Sequence, residues 1–303
     1  MRYLLVIFLL YLPMASAAGL YVTIVEGLGG TEEFTGLFDD QVERLQQAAE
    51  RYAGKDQVVT LAGDNAERQH ILAHFSELNR RLGKEDRTAV FLVGHGSYDG
   101  HEYKFNIPGP DLSMQDLHTM MDDNPAGFQV LVNTSSASGA ILDELKKDSR
   151  IVITATRSGN ERNAPRFGNF FVDALYSYSA DLNKNETISI EEAFQFAQRE
   201  TEEFYKSEGR LATEHPQLQG DKAGQFNIAR LAEARPAEKD PQLERLQVQK
   251  RNIDRLIENL QLRKTEMNNE DYLEQLQQLI LELSLTEDMI EDLQQPQDTD
   301  DTR

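Results

Sequence analysis

Hydrophobic positions along the chain fall into two rhythms. Residues 20–25 form a short β-branched run, Leu-Tyr-Val-Thr-Ile-Val, that predicts a buried strand. Residues 38–52 change to helical spacing, with Phe38, Val42, Leu45 and Ala49 on one face. Residues 57–61 return to strand character. A second helix follows, with Ile71, Phe75, Leu78 and Leu82 as its inner stripe and Asp64 or Asn65 as its cap. Residues 88–93 are apolar on both faces, and residues 128–132 and 150–154 repeat that pattern. Doubly apolar strands separated by helices predict an α/β fold with a mostly parallel sheet covered on both sides.

The rhythm changes near Arg235 and Pro236. From residue 241 to the end there are 15 acidic and 7 basic residues, one aromatic (Tyr272) and no glycine. Leu246, Ile253, Leu256 and Leu260 recur at helical spacing. After Met267, Asn268 and Asn269 the pattern restarts at Leu273, Leu276, Ile280, Leu283 and Ile290. This predicts a helical hairpin or coiled coil, suited to homo-oligomerisation or to docking a protein partner. Asp271 with Glu274 is the expected capping box of its second helix. At the other end, Met1 and Arg2 precede an apolar run, residues 4–12, then Pro13 and the small residues Ala15, Ser16, Ala17 and Ala18. That is the pattern of a secretory signal peptide, and the run falls short of the roughly 20 residues a membrane span needs. The expected organisation is a signal peptide over 1–18, an α/β domain over 19–235, a hairpin over 236–293 and a disordered tail over 294–303. The expected location is secreted or periplasmic, with no membrane span after cleavage.

Composition narrows the chemistry. The absence of cysteine excludes a disulfide scaffold, a thiolate metal site and a cysteine nucleophile. A formal charge of -21 argues against nucleic acid or anionic lipid as a partner and favours cationic groups.

Open α/β sheets bind ligands beyond the carboxyl ends of their strands. The third strand ends in Gly94, His95, Gly96 and Ser97; the fourth ends in Asn133, Thr134, Ser135, Ser136, Ala137, Ser138 and Gly139. Small neighbours let a substrate backbone approach and free N–H groups to face it. Each segment also has a plainer reading, as a turn with an exposed imidazole and as a helix cap. Residues 98–105 predict a hairpin, turned at Asp99 and Gly100.

Together these segments resemble the legumain- and caspase-like cysteine peptidases, and the bacterial legumain-type branch most. That family carries His-Gly at one strand end and its catalytic Cys at the next, in a Cys-x-Ser-Gly context. The matching residues here are His95 with Gly96, and Ser136, Ala137, Ser138 and Gly139. The resemblance, which covers residues 19–227, implies a caspase- and legumain-like three-layer sandwich. It implies that Gly96 and Ser136 supply oxyanion-binding N–H groups. It also implies that Thr156, Arg157 and Ser158 line the specificity pocket.

The chain departs from the family at its nucleophile. A thiol with a reference pKa of about 8.5 supplies thiolate unaided, whereas a serine hydroxyl needs an adjacent base. Three readings follow: Ser136 works with His95 as its base, the cleft binds peptides without cutting them, or the pocket is vestigial. Arg157 would favour acidic or amide side chains, or form a surface ion pair. The expected function is an exported peptidase-family protein, impaired as a cysteine peptidase, that binds peptide or protein segments or acts as a scaffold. The alternative is an active serine-dependent endopeptidase. No cofactor is required by either.

A second motif is independent of the first. Asp181, Asn183 and Asn185 stand at positions 1, 3 and 5 of an EF-hand-like loop, Thr187 at the carbonyl position 7 and Glu192 at position 12. Glu186 replaces the usual glycine, and two asparagines lower the ligand charge, so any calcium binding is expected to be weak. The competing reading is a polar turn capped by Asp181 and Ser189. His215 is expected in a loop without a catalytic role, and His70, His74 and His118 at the surface or an interface.

Overall fold

The computed structural model describes residues 18–231, 241–262, 264 and 267–294. The expected signal peptide, but for Ala18, and the tail beyond Gln294 lie outside them. The elements run β1 (Leu20–Glu26), α1 (Glu32–Ala53), β2 (Val58–Leu61), α2 (Arg68–Arg81) and β3 (Arg87–Val93). Next come β4 (Gly96–Tyr98), β5 (Tyr103–Phe105), β6 (Leu112–Ser113), α3 (Met114–Asp122), β7 (Phe128–Asn133) and β8 (Arg150–Thr154). The chain continues through α4 (Phe167–Ala174), β9 (Thr187–Ser189), α5 (Ile190–Ser207), β10 (Gln217–Gln219), β11 (Asn227–Arg230), α6 (Pro241–Leu262) and α7 (Asn269–Gln294).

Six strands form one sheet in the order β10-β8-β7-β3-β1-β2. All neighbours are parallel except the edge strand β10, which is antiparallel to β8. Period-two alternation splits β3 between two cores: Ala89, Phe91 and Val93 enter the one built with α1, α4 and α5, while Val90 and Leu92 enter the one built with α2 and α3. This is the α/β three-layer sandwich expected from doubly apolar strands.

Local signals set the helices. Thr31 caps α1 by accepting the Phe34 N–H at 3.3 Å, and Glu32 and Glu33 favour its positive end. Helix α2 differs from expectation: a 3-10 turn over Gly63–Ala66 intervenes, so Asp64 and Asn65 fall short, and Glu67 takes the cap position without a side-chain bond. Arg150 at the start of β8 is buried yet fully engaged. It donates to Gln129 Oε1, the carbonyls of Leu145 and Met121, and Asp122.

Helices α6 and α7 form an antiparallel hairpin, with Lys250 paired to Glu287 and Gln249 to Glu282. Arg230 of β11 reaches Asp254 of α6 at 3.7 Å. The face α7 turns inward is centred on Tyr272 and Thr286, both buried; of the expected stripe, Leu276, Leu283 and Ile290 are half-buried beside it, while Leu273 and Ile280 are each 52% exposed. The cap also shifts, because Asn268 accepts the Asp271 N–H at 2.8 Å and so begins the helix one turn earlier. Among the described residues, no helix is long and apolar enough to cross a membrane.

Candidate active site

Parallel pairing brings the carboxyl ends of β1, β3, β7 and β8 to one edge, with Glu26 opposite Val93, Leu92 opposite Asn133 and Asn133 opposite Thr154. The segments that leave those ends build the site. At Gly94 the chain passes so close to β1 that a Cβ would lie 2.9 Å from the Gly27 Cα. His95 follows. Its ring packs edge-on against Phe34 and Phe38 of α1, with centroids 4.7 and 5.0 Å away. Its Nε2 lies 3.2 Å from the Gly29 carbonyl. A carbonyl only accepts, so Nε2 carries the proton and Nδ1 is the basic nitrogen of the neutral ring.

Gly96 is pressed onto the serine loop. A Cβ there would lie 2.5 Å from Ser135 Oγ and 2.6 Å from the Ser136 carbonyl. Ser136 is only 4% exposed, and among the described residues it makes no hydrogen bond with His95. The loop rests on a buried relay: Asn133 Nδ2 donates to the Tyr103 hydroxyl at 2.8 Å, Tyr103 meets Ser135 Oγ at 2.7 Å, and Ser135 donates to the Ser136 carbonyl at 3.1 Å. The Ser135 proton is committed to that carbonyl, so Tyr103 donates to Ser135. Burial pushes the Tyr103 phenol up to about 12, which keeps the donor protonated.

Ala137 takes a left-handed conformation, φ 57°, and its N–H is held by the Glu161 carbonyl at 2.8 Å. Ser138 accepts the Thr156 N–H, and Thr156 Oγ1 accepts the Gly139 N–H at 2.8 Å. Thr156 is wholly buried, so it splices the end of β8 to the serine loop. Arg157 extends outward, 61% exposed, with Nε 3.0 Å from Glu161. Ser158 is half-buried, and its carbonyl lies 3.3 Å from Thr156 Oγ1. All six expected cleft residues thus stand on segments leaving the carboxyl edge of the sheet; Gly96 and Thr156 touch the serine loop, His95 packs on α1, and Arg157 extends outward.

Three contributors were not foreseen. Tyr103 was expected only as part of a hairpin. Glu161 and His215 lie far apart in sequence, yet His215 Nδ1 is 2.6 Å from Glu161 Oε1. His215 and Arg157 both line a cavity of about 210 Å³, with Tyr205, Pro216 and Gln217. Only the packing of residues 213–217 beside the end of β8 makes this visible; Gln217 of β10 pairs with Thr154.

The loop over residues 181–192 turns its oxygens inward. Asp181 accepts the Asn185 and Glu186 N–H groups, Asn183 that of Asn185, and Asn185 both N–H and Oγ1 of Thr187. Glu192 accepts from Leu182, Asn183 and Ser189. Glu186 sits at φ 61°, the conformation a glycine takes without strain. Among the described residues, no group of three or more His, Asp or Glu side chains gathers as a metal site; Asn side chains and the Thr187 carbonyl make up much of this donor set.

Comparison with known proteins identifies the family. The model of the Peptidase C13 family matches residues 52–223, which contain His95, Ser136 and Arg157. The chain belongs to the Peptidase C13 family, the legumain family. Among solved structures it is similar to a Geobacter sulfurreducens protein, at 12% identity over 67% of this chain and 93% of that one, with a TM-score of 0.41. It is similar also to caspase-1 of Spodoptera frugiperda, at 12% identity over 67% of this chain and 87% of that one, with a TM-score of 0.44. The chain matches no curated protein.

Proposed function

We propose that this Peptidase C13 family member is exported and uses its cleft to bind peptide or protein segments with little or no cleavage, Ser136 standing where the family's cysteine acts. The observation that carries the reading is the pairing of a serine with an uncoupled histidine. His95 turns Nε2 to Gly29, and among the described residues no hydrogen bond joins it to Ser136. A thiol tolerates that separation because it ionises on its own; a serine hydroxyl does not. The exposed Arg157 and the cavity beside it supply a place for a substrate side chain.

Peptide-library cleavage by the wild-type chain, Ser136→Ala and Ser136→Cys tests this directly. The wild type and Ser136→Ala are expected to be equally inert. Ser136→Cys is expected to cleave at least about 100-fold faster than either, the scale on which a positioned base otherwise acts. Wild-type cleavage that disappears in Ser136→Ala would overturn the reading in favour of a serine endopeptidase.

We also propose weak calcium binding by the loop over residues 181–192. Its support is the left-handed backbone at Glu186, the sixth position, and the short strand β9 centred on Ile188, the eighth.

A further inference from the structure

Helix α7 combines two features that a solvent-facing helix does not need together. Leu281, Leu285 and Met289 recur every fourth residue and are 62%, 54% and 43% exposed. They form a ridge beside the face packed on α6, where Tyr272 and Thr286 are buried and Glu282 meets Gln249; Leu293, seven residues beyond Thr286, falls on that inward side. Between Asn269 and Gln294 the chain also has eight acidic residues and no Lys, Arg or His. Glu274 and Asp288 stand seven residues either side of Leu281, so the ridge is bracketed along its own face by carboxylates. Among the described residues, neither carboxylate has an ion-pair partner; two cations that reach α7 are engaged elsewhere, Lys250 by Glu287 and Lys264 over the Tyr272 ring.

We infer that this face docks a basic amphipathic helix of another protein, one that presents an apolar ridge flanked by Lys or Arg. The apolar ridge supplies the burial and the carboxylates select the partner's charge. A second copy of this chain is a poor occupant, because two α7 faces would set eight acidic residues against eight with no compensating cation. An anionic membrane is disfavoured by the same charge. The inference is independent of how the cleft is read.

The test uses a synthetic 21-residue Leu/Lys amphipathic helix as the probe. Its binding to the full chain is measured by fluorescence anisotropy at low and physiological salt. A shuffled peptide of identical composition, with the apolar ridge dispersed, reports charge attraction alone. The ordered peptide is expected to bind at least about tenfold tighter than the shuffled one. Leu281→Ser with Leu285→Ser and Met289→Ser should erase that margin, while Glu274→Gln with Asp288→Asn should weaken both peptides. These are exposed positions, and circular dichroism of each variant checks that the hairpin persists. Equal binding of the two peptides, or a margin that survives the triple variant, overturns the inference. So does light scattering that finds a multimer made monomeric by the triple variant, since the face would then belong to a second copy.

Discussion

The Tyr103 hydroxyl and Ser135 Oγ lie 2.7 Å apart beneath the cleft, tying the hairpin that follows His95 to the loop that carries Ser136. Tyr103 is fully buried and also accepts from Asn133. Its loss therefore strands two partners in an apolar setting. Tyr103→Phe is expected to destabilise the protein by about 1–3 kcal/mol, the cost of unsatisfied buried polar groups. Urea denaturation of the variant measures this. An unchanged midpoint would mean that the two segments are positioned by Gly96 packing alone.

The loop's other anchor is steric. A Cβ on Gly139 would lie 2.2 Å from the Arg157 carbonyl carbon and 2.2 Å from the Ser158 nitrogen, both backbone atoms that cannot swing away. Gly139→Ala is expected to push the serine loop from the end of β8, costing about 1–3 kcal/mol or more. In the Ser136→Cys background it should also lower peptide affinity. Calorimetric melting and peptide titration give the two readouts, and a variant as stable as its parent would show that the loop yields without resistance.

The sheet was legible because its strands are apolar on both faces, and a run such as residues 88–93 has few alternatives to a buried parallel strand. The site was legible where chemistry clusters locally, as at His95 with Gly96 and across Ser136 to Gly139. It was not legible where the contact is long-range. Glu161 meets His215 across 54 residues, and Tyr103 meets Ser135 across 32. The hairpin shows a different failure. Leu273 and Ile280 fit a helical stripe as well as Tyr272 and Thr286 do, and only packing against α6 decides which face turns inward.

Glu26, at the carboxyl end of β1, makes stability depend on pH. Burial, a hydrogen bond with Asp39 and that neighbour's charge push its carboxyl up to about 7. The folded state therefore holds a proton that the unfolded chain releases near its ordinary value of 4.5. The stabilisation is complete below that value and is lost as pH rises through about 7. Glu214, also raised by burial, acts in the same direction; His74, lowered by burial and Arg81, acts in the opposite one. The difference between wild type and Glu26→Gln isolates the Glu26 contribution. Urea midpoints between about pH 5 and 8 should fall less steeply for the variant. Parallel profiles would show that Glu26 ionises normally in the folded state.

Calcium binding by the loop over residues 181–192 must compete with bonds the loop already makes. Asp181 and Asn185 are engaged with loop N–H groups, and Glu192 Oε2 caps α5 through Ser189. An ion gains only the difference between its own ligation and those bonds, which argues for low affinity. The left-handed Glu186 adds a strain of roughly 1–2 kcal/mol that glycine would not carry. Glu186→Gly is thus expected to raise the melting temperature with or without calcium, and Glu192→Gln to abolish calcium binding by removing the carboxylate at position 12. Thermal melting in increasing calcium reads both effects. Going from about one to ten times Kd should add ~1 kcal/mol of stability. Magnesium at equal concentration controls for ionic strength. A melting temperature that ignores calcium in both the wild type and Glu186→Gly would leave the loop as a capped turn. A calcium response that survives Glu192→Gln would place the ion elsewhere.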